Sequence, residues 1–142
     1  MFRYLLTPGF TDTDALGHIN NTRLPVWFEL ARNDVFRIFT PDLNPKKWEL
    51  ILARIEVDFV GELFYGQDVE IRTFIERIGS SSFTVGQEAW QNGELGAKGQ
   101  AILVHYSFAE KASQPLEGSL RQALEAHLRP TPAPAPTSAS EP

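Results

Sequence analysis

The chain has 142 residues, 42% of them hydrophobic, with 13 Lys and Arg against 18 Asp and Glu for a formal net charge of −5. That length suits one domain with a real core, and an acidic balance with no basic stripe argues against a nucleic-acid partner. The absence of cysteine excludes disulfides, thiolate metal ligands and a thiol nucleophile. The start, Met1-Phe2-Arg3-Tyr4-Leu5-Leu6, is too short for a signal peptide and lacks a small-residue cleavage pattern. No apolar run approaches the roughly 20 residues of a spanning helix. The expectation is a soluble cytoplasmic protein with no membrane partner.

Phe2 to Leu6 reads as an edge strand, broken by Pro8-Gly9 and continued by Phe10 to Thr13. Asn20 or Asn21 supplies an N-cap. From there Leu24, Trp27, Phe28, Ala31, Val35, Ile38 and Phe39 recur at three- and four-residue spacing, the apolar face of one long helix. Glu29, Arg32, Asn33 and Arg37 are its polar positions, and Thr40-Pro41 ends it. The pattern then switches to period two. Ile51, Ala53, Ile55, Val57 and Phe59 alternate with polar neighbours, as do Val69, Ile71, Thr73 and Ile75. Gly79-Ser80-Ser81 reads as a hairpin turn, and Asn92-Gly93 as a second one closing a strand from Phe83 to Trp90. Gly96 to Phe108 is the last long strand. Its segment Ala101-Ile102-Leu103-Val104, apolar on both faces, is expected in the sheet centre or at a subunit contact. Pro115 to Leu128 reads as a short helix. Residues 1–128 are expected to form a single domain, and the Pro-, Ala- and Ser-rich residues 129–142 a disordered tail. One early helix followed by antiparallel strands predicts an α+β fold with the sheet curled around the helix. Its uncovered edges and apolar surface predict dimerisation.

The chemistry concentrates in Asp12-Thr13-Asp14-Ala15-Leu16-Gly17-His18-Ile19-Asn20-Asn21. Two carboxylates, a glycine, a histidine and two amides run straight into the apolar helix. A carboxylate beside the unpaired N–H groups of a helix start can meet a carbonyl held there, attacking it directly or through a water. The plainer reading of Asp14 is an Asx-turn or cap. Asp12 is expected to shape the turn or pair with a cation. His18 is more simply a hydrogen-bonding scaffold residue than a general base. At least one of Asn20 and Asn21 reads as a cap, their side chains also being placed to orient a water or Asp14, and Gly17 reads as a position of positive φ or close backbone approach. His105 and His127 make no ligand pattern with His18, so no metal site is expected.

The same segment, followed by Trp27-Phe28-Glu29-Leu30-Ala31-Arg32, resembles the hotdog-fold acyl-CoA thioesterases, in the branch of the 4-hydroxybenzoyl-CoA thioesterases. Arg54-Ile55-Glu56-Val57-Asp58-Phe59, Gly66-Gln67-Asp68-Val69, Arg77-Ile78-Gly79-Ser80-Ser81-Ser82-Phe83 and Ala101-Ile102-Leu103-Val104 are similar to that branch too. The resemblance spans roughly residues 3 to 128. It implies a five-stranded antiparallel sheet around a long helix. It also implies a homodimer, or a homotetramer built as a dimer of dimers, with sites at the subunit interface and no metal or cofactor. It assigns an acyl-CoA substrate, Asp14 as the acting carboxylate, and a helix N-terminal amide near Asn21 against the thioester oxygen. Gly17, His18, Asn20, Asn21 and Arg77 are the implied substrate-binding positions. The basic cluster that meets the CoA nucleotide in the 4-hydroxybenzoyl-CoA enzymes is replaced here by Gly79-Ser80-Ser81-Ser82, with only Arg77 nearby. Two alternatives stand beside hydrolysis: a hotdog hydratase or dehydratase acting on acyl thioesters, and a non-catalytic acyl-CoA-binding protein.

Overall fold

The computed structural model of the protein describes residues 1–130. Phe2–Leu6 forms β1, Leu50–Phe59 β2, Val69–Ile78 β3, Ser82–Gln91 β4 and Glu94–Ser107 β5. They lie in the order β1-β3-β4-β5-β2, all neighbours antiparallel, and the two-residue β6 (Ala112–Ser113) pairs with β5. The architecture is α+β, the hotdog arrangement of an antiparallel sheet around an apolar helix.

Period two is realised most cleanly on β3, where Val69, Ile71, Thr73 and Ile75 are each at most 1% exposed. Both hairpins form as expected. Asn92 and Gly93 take φ of 52° and 78°, the paired positive values of a two-residue turn matched to strand twist. Gly79 N–H donates to Ser82 O at 2.7 Å. On β2 the alternation breaks, because the register with β5 shifts between Leu52 and Arg54. An extra residue there re-aims the strand, so the face opposite Leu103, Ala101, Gly99 and Ala97 carries Leu52 before the bulge and Ile55, Val57 and Phe59 after it. Leu50 is buried, while Leu52, Ile55 and Phe59 are exposed because β2 is the sheet edge. Phe10–Asp12 forms a 3-10 turn and does not continue β1. Asp12 causes this, accepting the Gly9 N–H on Oδ2 at 2.8 Å and folding the chain back.

The expected long helix is two consecutive segments, α1 (Arg23–Ala31) and α2 (Asn33–Phe39). The junction is Arg32, a polar position in the sequence pattern yet only 4% exposed. Arg32 Nη1 donates to Gln87 Oε1 at 3.2 Å. Gln87 Nε2 in turn donates to the Phe28 carbonyl at 2.8 Å and to Thr73 Oγ1 at 3.1 Å. Phe28 O also keeps the helical hydrogen bond from the Arg32 N–H at 3.0 Å, so this carbonyl is shared between helix and sheet where the two segments meet. Burial pulls the pKa of the Arg32 guanidinium below its usual range, and nearby Glu29 partly restores it.

This polar junction separates two cores. One holds Leu24, Trp27, Phe28 and Ala31 of α1 against Val69, Ile71, Ala89 and Ala97. The other holds Val35 and Phe39 of α2 against Ile75, Phe83, Val85, Ala101 and Leu103, capped by Leu116 and Leu124. Leu124 comes from the last helix, α3 (Gly118–Glu125), shorter than its apolar pattern suggests. Most of the expected tail, from residue 131 onward, lies outside the described residues.

Candidate active site

The segment from Asp12 to Asn21 folds as a compact clasp at the start of α1. Asp14 N–H donates to His18 O at 2.8 Å. Asp14 Oδ1 accepts the N–H of Leu16 at 2.7 Å and of His18 at 3.1 Å. The carboxylate therefore closes an Asx-type turn, and its other oxygen, Oδ2, has no partner among the described residues. Gly17 makes the reversal possible, with φ of +87°, a region L side chains rarely enter. Asp12 both shapes the turn and pairs with a cation, Arg23 Nε, at 3.2 Å. Asn20 N–H donates to Asp12 O at 2.8 Å, which seats the helix start beside the clasp.

Thr22 is the N-cap of α1 and lacks a side-chain cap of its own; Asn20 secures it instead, its Oδ1 accepting both the N–H and the hydroxyl of Thr22 at 2.9 Å. Arg23 and Leu24 N–H groups donate to the carbonyls of Asn20 and Asn21. No partner is found among the described residues for the Asn21 N–H. It is one of the free donors expected where a helix begins.

Asp14, His18, Asn20 and Asn21 line one open cleft of about 420 Å³. Its floor is apolar, from Ile19, Leu24, Leu63 and Ala97, and Phe59, Gly61, Glu62 and Gly96 complete the wall. Gly96 matters to the shape, since a Cβ there would stand 2.5 Å from Leu63 Cδ2. The loop after β2 is tied to the clasp at three points. Ile19 N–H donates to Leu63 O at 2.9 Å, Tyr65 N–H donates to Gly17 O at 3.3 Å, and His18 forms a bridge with Phe64. That loop delivers Glu62, whose Oε1 lies 2.9 Å from His18 Nε2.

Gly17 supports the cleft without lining it. Arg77 stands apart. It pairs across the ladder with Thr84, and Thr84 with Ile102, five residues along β5 from Ala97, or roughly 17 Å. Glu62 escapes the sequence reading, because nothing in Gly61-Glu62-Leu63 marks a site until the chain folds. Among the described residues no three His, Cys, Asp or Glu side chains gather in a way that holds a metal. No helix among them is long and apolar enough to cross a membrane.

Known proteins share this fold. Residues 8–138 match the thioesterase-like superfamily. A predicted thioesterase from Bacillus stearothermophilus is 43% identical with a TM-score of 0.88, over 92% of this chain and 98% of that one. A thioesterase from Thermus thermophilus, crystallised with coenzyme A and Zn, is 31% identical with a TM-score of 0.78, over 91% and 96%. A 1,4-dihydroxy-2-naphthoyl-CoA thioesterase from Synechocystis shares the fold, with a TM-score of 0.73 at 19% identity over 87% and 94%. No curated protein matches the chain. Motif, fold and relatives converge: the chain belongs to the thioesterase-like superfamily and is a thioester hydrolase.

Proposed function

We propose that the substrate is an acyl-CoA, and that Asp14 and the Asn21 N–H act on its thioester carbon from opposite sides. One observation carries this reading: an uncommitted carboxylate oxygen and an unpartnered helix-start amide line the same cleft. The Asn21 N–H, with the positive end of α1 behind it, stabilises negative charge building on the carbonyl oxygen. Asp14 Oδ2 then takes a proton from water as that water attacks the carbon, or attacks the carbon itself to give an anhydride that water opens; in either route the C–S bond breaks and CoA leaves as the thiol. Oδ1, held by two backbone N–H groups, fixes the carboxyl plane for either route. The apolar floor receives the acyl group. Coenzyme A is favoured because the Thermus relative was crystallised with it.

Catalysis is expected to need a second copy. β2 is the sheet edge, with Leu52 and Ile55 at 45% exposure and Phe59 at 54%. An apolar edge strand with an unpaired ladder invites pairing, and Phe59 belongs to the cleft wall as well. A homodimer, or a homotetramer of two such pairs, would cover this edge and close the site. Arg77 is assigned to the nucleotide only in such an assembly.

The test is Asp14→Asn, assayed by thiol release from short, medium, long and aromatic acyl-CoAs. The amide oxygen keeps both turn hydrogen bonds, so melting should stay near wild type. Turnover should fall by about 10²–10⁴. Wild-type turnover in the folded variant overturns the assignment. Single-turnover reaction in ¹⁸O water separates the routes, since label entering the aspartate first marks the anhydride. One feature favours a second reading. His18 carries a carboxylate partner, the pairing expected of hotdog hydratases, and water addition to an enoyl-CoA without thiol release would select it.

A further inference from the structure

The His18–Glu62 pair has no task in that mechanism. Both side chains line the cleft, and they come from segments 44 positions apart that the fold joins by backbone hydrogen bonds. His18 also links the two carboxylates of the site: its main-chain N–H holds Asp14 Oδ1, and its ring holds Glu62 Oε1. Phe64 braces the ring edge-on at 5.1 Å between centroids. A pair that only stabilised the fold would be poorly placed here, since the His18 and Glu62 side chains are 36% and 62% exposed and solvent screens such a contact.

A carboxylate is an acceptor, so the imidazole nitrogen facing it carries the hydrogen. With Nε2 committed to Glu62, Nδ1 is the nitrogen left without a partner among the described residues. In a neutral ring that nitrogen is an acceptor. A histidine ring is routinely oriented by what its other nitrogen bonds.

We propose that Glu62 is a positioning residue, holding the His18 ring in its Nε2–H form so that Nδ1 accepts a hydrogen bond from the hydrolytic water and aims it at the thioester carbon. In the general-base route the water oxygen bonds to the thioester carbon and its proton passes to Asp14, not to His18; collapse of the tetrahedral intermediate then breaks the C–S bond, and the departing CoA thiolate takes up that proton. This inference rests on the proposed function above. It differs from a catalytic histidine in that no proton is transferred to the ring. Loss of Glu62 should therefore lower kcat while leaving KM for acyl-CoA nearly unchanged. Glu62→Gln should restore most of the loss, because its amide oxygen accepts the same hydrogen bond.

The experiment uses the intact protein labelled with ¹⁵N at histidine, together with steady-state kinetics on the acyl-CoA that the wild type turns over best. Wild type should show His18 as the Nε2–H tautomer at pH 8, with kcat falling roughly 10- to 100-fold in Glu62→Ala and KM within about twofold. Glu62→Gln should recover to within a few-fold of wild type and keep the tautomer. Adding His18→Gln to Glu62→Ala should cost little more, since the two act as one unit. An Nδ1–H tautomer in the wild type overturns the proposal whatever the kinetics. So does Glu62→Ala with unchanged kcat, or a loss confined to KM. Loss of turnover in Asp14→Asn alongside an inert Glu62→Ala removes this inference and leaves the function standing. An inert Asp14→Asn removes the function, while the ring's tautomer is still read by NMR.

Discussion

The two cores of this small protein are built to different ends. Under α2 the core is sealed from solvent: Val35, Ile75, Val85, Ala101 and Leu124 have no exposure at all, and α3 covers the end of the sheet. Under α1 the same sheet is left open. Ile19, Leu24, Leu63 and Ala97 are buried, yet they floor a cleft of about 420 Å³. His105 shows the first style, with Nδ1 3.0 Å from the Pro115 carbonyl and Nε2 2.6 Å from Glu49 Oε1, the histidine itself only 5% exposed. His18 shows the second, a similar carboxylate pairing left at the surface. One half secures the fold, and the other keeps a helix start uncovered so that its amides stay available.

Four changes would break or sharpen this contrast. The largest stability effect belongs to the closed half. Phe83→Ala should cost about 3–5 kcal/mol, because Phe83 is 1% exposed and stacks on Phe39 at 5.5 Å. Chemical denaturation reads it, and kcat of the folded fraction should hold. Gln87→Ala removes the acceptor of Arg32 and the donor to Phe28 O, leaving buried groups unpaired at about 1–3 kcal/mol. Denaturation should show that loss, and crystallography a changed junction between α1 and α2. Gly17→Ala strains a φ of +87° by about 1–2 kcal/mol. It should lower kcat disproportionately, because the clasp that aims Asp14 relaxes. A purely thermal effect would separate Gly17 from the site.

The smallest effect is a pH slope. Burial, and then the N-terminal ammonium, hold His127 below its usual 6.5, with Asp34 opposing. Its ring stacks on Phe2 at 3.9 Å, and Nδ1 is 3.1 Å from the N-terminal nitrogen. A base with a lowered folded pKa binds protons less readily than the unfolded chain. Its contribution is complete above pH 6.5 and is lost as pH falls from there toward the folded value. The melting temperature should drop modestly from pH 7 to pH 5, and less in His127→Gln. An equal drop in both proteins would exclude His127 as the source.

Much of this was legible before folding, and for local reasons. Val69 to Ile75 alternates because a strand has two faces, and Asn92-Gly93 turns because both positions tolerate positive φ. Asp14, Gly17, Asn20 and Asn21 lie within one short segment whose turn chemistry is set by neighbours in sequence. Where the reading failed, a distant residue had intervened. Arg32 looked solvated until Gln87, 55 positions away, met it inside the sheet. The face of β2 shifted at a bulge that pairing with β5 imposes.

The sequence by itself determined the strand periods, the hairpins, the apolar helix face and the carboxylate-rich clasp, because each depends on backbone preferences within a few residues. Only the tertiary structure decided that the helix is interrupted at Arg32, that Arg77 lies at the far end of the sheet from the cleft, and that Glu62 meets His18. Those outcomes follow from long-range hydrogen bonds and close packing, which join residues that sequence proximity never relates.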